Sequence, residues 1–166
     1  MEFDSLLPAG ERPELTEGYE GFFHLESIRG SVESAELLYL IRDHDRQRFE
    51  EKKSLMTAIA SELNQRFGAD TVTVEISDTY RNMKEKICPD NMFLIDNAAK
   101  AMRRLGIEPL IQPIRGGTDG ANLSWRGLPC PNLCAGGHNF HGKYEYVSTR
   151  SMELIAELLV GLVQLF

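Results

Sequence analysis

The segment from Asp43 to Gly68 most narrows what this chain can become. Phe49, Leu55, Met56, Ile59, Leu63 and Phe67 recur at helical spacing, Asp43-His-Asp45 offers N-cap side chains, and Gly68 offers a stop. The spacing predicts a helix running to about Phe67, with Arg46, Arg48, Glu50, Glu51, Lys52 and Lys53 on its solvated face and His44 at its start. Such a helix buries its stripe only against another layer. Its flanks supply one: Gly21–Ile28 and Ala35–Ile41 read as strands of an antiparallel hairpin turning at Arg29-Gly-Ser31. Beyond the helix, Thr71–Ser77 alternates, with Val72, Val74 and Ile76 on one face and Thr71, Thr73 and Glu75 on the other. His24 reads as a sheet-surface residue. Strand, strand, helix, strand is most of a ferredoxin-like β-α-β-β-α-β sandwich, short of its first strand and helix. Phe3, Leu6 and Leu7, stopped by Pro8-Ala-Gly10, fit the last turn of that first helix. So short a piece does not nucleate alone, and a segment ahead of Met1 is expected.

The texture changes at Thr79–Lys86, which sets an expected boundary between a domain at 1–78 and another at 79–166. In the second, Leu94, Ile95, Ala98, Met102 and Leu105 form a helical stripe closed by Gly106. A strand at Leu110–Ile114, a short helix around Ala121–Trp125 and a strand near Pro131–Leu133 follow. A last helix starting near Ser148 or Thr149 is expected to bury Met152, Ile155, Leu158, Leu159, Leu162 and Val163 and to be covered on more than one side. Alternating helix and strand is the signature of an α/β layer. The fold class is therefore α/β overall: a partial α+β domain, then an α/β portion.

Composition excludes more than it selects. A formal charge of −7 argues against general nucleic-acid binding and against an anionic membrane surface. Three cysteines, Cys88, Cys130 and Cys134, are an odd number without framework spacing and suggest a reducing compartment. Neither a secretory leader nor a membrane span is legible. The expectation is a soluble, cytoplasmic protein with no membrane partner.

Two glycine-flanked loops draw the chemistry. In Pro113-Ile-Arg-Gly-Gly-Thr-Asp-Gly120 an apolar run ends in Arg115, whose planar fork suits a carboxylate if a cleft exposes it and a surface ion pair otherwise. Asp119 is an acid that also suits a helix N-cap, and the cap is the favoured reading. In Gly136-Gly-His-Asn-Phe-His-Gly142, His141 is a loop histidine open to a metal role, and His138 a weaker candidate. A zinc site needs three or four donors, and only Asp119 and Glu145 are near in sequence. Cys130 and Cys134 read as core packing in a buried strand rather than as a metal pair. Asn82 by itself points nowhere.

Together, Thr16-Glu-Gly-Tyr-Glu-Gly-Phe22, Asp78-Thr-Tyr-Arg-Asn-Met83, Ile114-Arg-Gly-Gly-Thr-Asp-Gly120, Gly127-Leu-Pro-Cys-Pro-Asn132 and His141-Gly-Lys-Tyr-Glu145 resemble the peptidase T family. That family comprises bacterial tripeptide aminopeptidases with a co-catalytic pair of zinc ions. The resemblance runs from about Pro8 to the C-terminus and covers the last two-fifths of the family's chain. It implies a lid or dimerisation domain to about Ser77, and from Thr79 the C-terminal portion of the catalytic domain. It also implies His141 as a zinc ligand, Arg115 near the tripeptide's terminal carboxylate, Gly117 and Thr118 lining the pocket, and Asn82 at a lid hinge contacting substrate. The family's His-x-Asp motif, bridging aspartate, Glu-Glu pair with its base and further aspartate ligand have no counterpart here, since Glu50-Glu51 sits on the charged helix. The chain alone is accordingly expected to be inactive and to need the missing N-terminal part as partner, with homodimerisation through the lid possible. The competing expectation is a non-catalytic dimerisation or interaction module.

Overall fold

Asp45 begins the long helix as its sequence requires: the side chain accepts from the Arg48 N–H at 2.9 Å, and the helix runs Arg46–Phe67. In the computed structural model, which describes residues 2–166, the helices are α1 (Glu2–Ser5), α2 (Arg46–Phe67), α3 (Lys84–Ile87), α4 (Met92–Arg104), α5 (Asp119–Trp125) and α6 (Thr149–Val163). The strands are β1 (Phe22–Gly30), β2 (Ala35–Arg42), β3 (Gly137–His138) and β4 (Tyr146–Val147), and a 3-10 turn spans Pro13–Leu15. The chain divides into two compact units: Met1–Thr79 with Gln112–Gly116, and Tyr80–Ile111 with Gly117–Phe166.

In the first unit β1 and β2 form the expected antiparallel hairpin, with Phe23 opposite Ile41 and a register shift between Leu25 and Ser27. The turn lies later than the sequence suggested, because Gly30 still pairs with Ala35 and the Ser31 N–H donates to the Ser34 carbonyl at 2.7 Å. Phe23, Met56, Ile59 and Leu63 close the core with Leu7, helped by Phe3, Leu6, Tyr39, Ile41, Leu55 and Val72. Each such side chain contributes about 1.5–3 kcal/mol by leaving water. The short α1 is held from outside itself. Asp4 Oδ1 accepts from Arg12 at 2.9 Å and from the Tyr39 hydroxyl at 2.7 Å, and Glu2 pairs with Arg66. The Tyr39 hydrogen bond holds the Asp4 carboxyl below its ordinary range, while burial and Asp4 push the Tyr39 phenol up. Met1 lies outside the described residues.

Two expectations fail in this unit. Lys52 does not belong to the solvated face of α2: its side chain is buried and its ammonium lies between Glu11 (2.5 Å) and Asp43 (3.4 Å), which recovers part of the desolvation cost. Thr71–Ser77 is no strand, and its alternation holds only at Val72 and Val74, which are half-buried, while Ile76 is exposed. A strand needs a hydrogen-bonded neighbour, and among the described residues no strand pairs with this segment. The Asn64 amide stands in at one position, accepting from the Val72 N–H at 2.7 Å and donating to the Val72 carbonyl at 2.9 Å.

In the second unit α4 packs on α6, and Ala99, Ala101 and the fully buried Leu158 mark the centre. Helix α4 ends in a Schellman motif: Gly106 adopts a φ of 72°, Ile107 N–H donates to Met102 O at 3.0 Å and Gly106 N–H to Arg103 O at 3.1 Å. Ser148 caps α6 by accepting from Ser151 N–H at 3.0 Å. Neither Leu110–Ile114, whose residues from Gln112 on belong to the first unit, nor Pro131–Leu133 forms a strand. Apolar runs of this kind become strands only when neighbours pair with them, and here Leu110 and Ile111 stay 79% and 73% exposed. For the same reason α6 buries less than its composition predicts: Met152, Leu159 and Val163 are all exposed. Cys134 is exposed and Cys130 half-buried, so core packing does not describe them. The architecture as a whole is mixed helix and strand, α/β in class. No helix among the described residues is long and apolar enough to cross a membrane.

Candidate functional site

The candidate residues divide between the units: Arg115 lies in the first, and Asn82, Gly117, Thr118 and His141 in the second. Within each unit the surroundings are specific.

Arg115 reaches back to the loop before β1. Its Nη1 donates to the Thr16 carbonyl and its Nη2 to Thr16 Oγ1 at 2.5 Å, while the guanidinium lies over the Phe22 ring, 4.7 Å from its centroid. Two of a guanidinium's five N–H donors are thereby occupied. Nε is buried and without a hydrogen-bond partner among the described residues. A buried, unsatisfied donor on a fixed cation is costly in isolation and suits an incoming anion. Thr16 also lines a cleft of about 450 Å³ whose wall includes Glu11, Gly21, Phe23, Asp43 and Lys52. A shallow depression on the outer face of α2, by Arg46, Glu50 and Ser54, contains none of the candidate residues.

In the second unit the 80–86 segment is gathered onto α5. A Cβ on Gly117 would stand 2.2 Å from Tyr80 Cδ2, so only glycine lets that ring lie against the backbone. Trp125 Nε1 donates to the Asn82 carbonyl at 3.2 Å, with Arg81 (5.1 Å) and Lys86 (4.4 Å) over the Trp125 ring. Asn82 is exposed, and its Oδ1 accepts from Lys84 N–H at 2.9 Å. Thr118, not Asp119, occupies the N-cap position of α5. Its hydroxyl makes no capping bond and is buried without a partner among the described residues, and Asp119 is the first helical residue. The cap reading of Asp119 is therefore corrected by one position: the extended backbone falls on Thr118.

His141 sits in the loop joining β3 and β4. Both it (φ 61°) and Asn139 (φ 55°) hold left-handed backbone, a conformation that side chains resist and that recurs at functional loops. Its N–H donates to Glu145 Oε2 at 2.9 Å, and its ring is exposed. His138 instead stacks on Tyr146, centroids 4.9 Å apart. Among the described residues no three His, Cys, Asp or Glu side chains are placed to hold a metal ion. A zinc cage takes three or four donors, so these residues do not make one by themselves, and His141 stands as a single donor.

Thr16, Phe22, Tyr80 and Trp125 are the neighbours that sequence reasoning left without a role. Thr16 and Phe22 bound a motif visible in the sequence, but nothing local ties it to an arginine 99 residues away.

No family model matches the chain. Over all of its 166 residues it is 56% identical to a peptidase T of Geobacillus kaustophilus and 53% identical to one of Bacillus licheniformis, in each case covering 40% of the relative. Among solved structures it is similar to a tripeptidase from Staphylococcus aureus, with a TM-score of 0.69 and 20% identity over 98% of this chain and 43% of that one. It is also similar to an aminopeptidase PepT from Bacillus cereus, with a TM-score of 0.61 and 18% identity over the same shares. At such identities the likeness to the solved structures shows the fold. The chain spans about two-fifths of the length of the curated relatives it matches.

Proposed function

Because this chain is homologous from end to end to the C-terminal part of peptidase T-family polypeptides, we propose that it is the carboxylate-anchoring part of a zinc-dependent tripeptide aminopeptidase. In this reading Arg115 receives the terminal carboxylate of the tripeptide, Gly117 and Thr118 line the pocket and Asn82 contacts the substrate. His141 contributes one ligand to a zinc cage completed by the rest of such a polypeptide. Residues 1–78 act as the lid, through which two copies pair, and residues 79–166 as the catalytic portion, in a cytoplasmic enzyme of peptide breakdown. The observation that carries the reading is Arg115: a guanidinium fixed by Thr16 and Phe22 whose buried Nε has no hydrogen-bond partner among the described residues. Clamping the far carboxylate is what would restrict such an enzyme to short peptides.

The chain alone is expected to hydrolyse no tripeptide. Mixing it with the N-terminal three-fifths of the Bacillus licheniformis relative, with zinc present, is expected to restore release of the N-terminal residue. In that mixture Arg115→Ala should raise KM for tripeptides about 10–100-fold, the worth of lost hydrogen bonds to a charged group, and leave KM for tripeptide amides unchanged. Turnover by the chain alone, or an equal loss on the amides, would overturn the reading. A stable dimer that gains no activity on mixing would instead mark a non-catalytic interaction module.

A further inference from the structure

The motif Thr16–Phe22 is prominent in the sequence, and in the proposed function its ends appear only as contacts of Arg115. Its two ends hold one guanidinium. Thr16 gives Arg115 two acceptors, the carbonyl and Oγ1, and Phe22 offers the face of its ring. The Thr16 hydroxyl spends its own proton on the Arg12 carbonyl at 2.8 Å, which leaves a lone pair for Arg115 Nη2. Between the two ends the chain folds on itself: Glu20 N–H donates to the Glu17 carbonyl at 3.0 Å, and the Glu17 N–H donates to Glu20 Oε2 at 2.9 Å. The loop is also anchored on both flanks. Phe23 N–H donates to the Glu11 carbonyl at 2.9 Å, and the Glu11 carboxylate pairs with the buried Lys52 of α2.

An unheld arginine samples many rotamers and surrenders that freedom on binding; a planar fork already fixed surrenders less. We infer that Thr16 and Phe22 are positioning residues that pre-orient Arg115 for a carboxylate, and so help set the preference for peptides with a free C-terminus. This rests on the proposed role of Arg115. Thr16 acts through the arginine and does not itself meet the substrate.

Two measurements separate the inference from that reading. In the chain alone, nitrogen-15 NMR should show the Arg115 Nη2 protons in slow exchange, lost in Thr16→Val, which keeps only the carbonyl that Nη1 meets, and retained in Thr16→Ser, which keeps the hydroxyl. Free rotation in the wild-type chain, or no change in Thr16→Val, overturns the positioning role whatever the activity. In the active mixture described above, Thr16→Val should raise KM for tripeptides about tenfold, as expected for a lost hydrogen bond to a charged group. In the same mixture kcat should hold within about twofold and KM for tripeptide amides should not change, the pattern of lost uniform binding. Thr16→Ser should restore KM, and Phe22→Leu should reproduce a smaller rise. A Thr16→Val enzyme with wild-type KM overturns the inference while leaving Arg115 as anchor. A wild-type mixture that treats acids and amides alike overturns the Arg115 reading itself, and the inference with it.

Discussion

At the scale of single residues, the loops that looked functional in sequence are held by partners remote in the chain. Gly117 is required because the Tyr80 ring occupies the space a Cβ would take, at 2.2–2.6 Å. Gly116 meets no such neighbour, so of the glycine pair only the second is sterically fixed. Gly117→Ala should therefore displace Tyr80 and destabilise the second unit by about 1–3 kcal/mol, the usual cost of forced repacking. Trp125 is the only tryptophan in the chain and is tied to the same segment through Asn82, so its fluorescence during urea unfolding reads the change directly. A Gly117→Ala protein as stable as wild type would show that the ring is not confined there. The arginine and the histidine were legible as candidates because their residue types and glycine flanks are local facts. What holds them was not.

At the scale of elements, the three long helices α2, α4 and α6 follow their sequence signals and the isolated strands do not. Helix α1 is too short to stand alone and persists through Asp4, Arg12 and Tyr39. That attachment carries a pH signature with two arms. The Asp4 pKa is lowered from 3.8, chiefly by the Tyr39 hydroxyl, so its stabilisation is present above about pH 4 and is lost as pH falls through the folded value. The Tyr39 pKa is raised from 10.0 by burial first and Asp4 second, so its stabilisation is present below about pH 10 and is lost as pH rises through the folded value. Tyr39→Phe should remove the alkaline arm and flatten the acid one. Urea midpoints measured from pH 3 to pH 11 would show it, and an unchanged alkaline limb would refute the assignment. Lys52 shows the opposite kind of lesson: its helical position placed it among charges on a solvated face, and two carboxylates from other segments drew it inside.

At the scale of the whole chain, the formal charge of −7 coexists with many uncovered apolar side chains. Leu110, Ile111, Met152, Val160, Val163 and Phe166 are all more than half exposed. The folded chain should bind a hydrophobic dye such as ANS strongly. Adding the N-terminal three-fifths of a peptidase T relative should reduce that signal at unchanged helix content. Undiminished dye binding in an active mixture would show that association covers other surface.

The sequence by itself determined α2, α4 and α6, the caps Asp45 and Ser148, the stops Gly68 and Gly106, the β1–β2 hairpin and the two loops carrying Arg115 and His141. These rest on contacts within a few residues, where spacing and residue type decide the outcome. Tertiary structure alone decided whether Thr71–Ser77 and Leu110–Ile114 became strands, whether Lys52 was buried, and what grips Arg115. A ladder, a buried ion pair and a two-acceptor clamp each need a partner brought from elsewhere in the fold. Thr16 and Arg115 are 99 residues apart, and their meeting is a property of the folded unit that neither residue's neighbours encode.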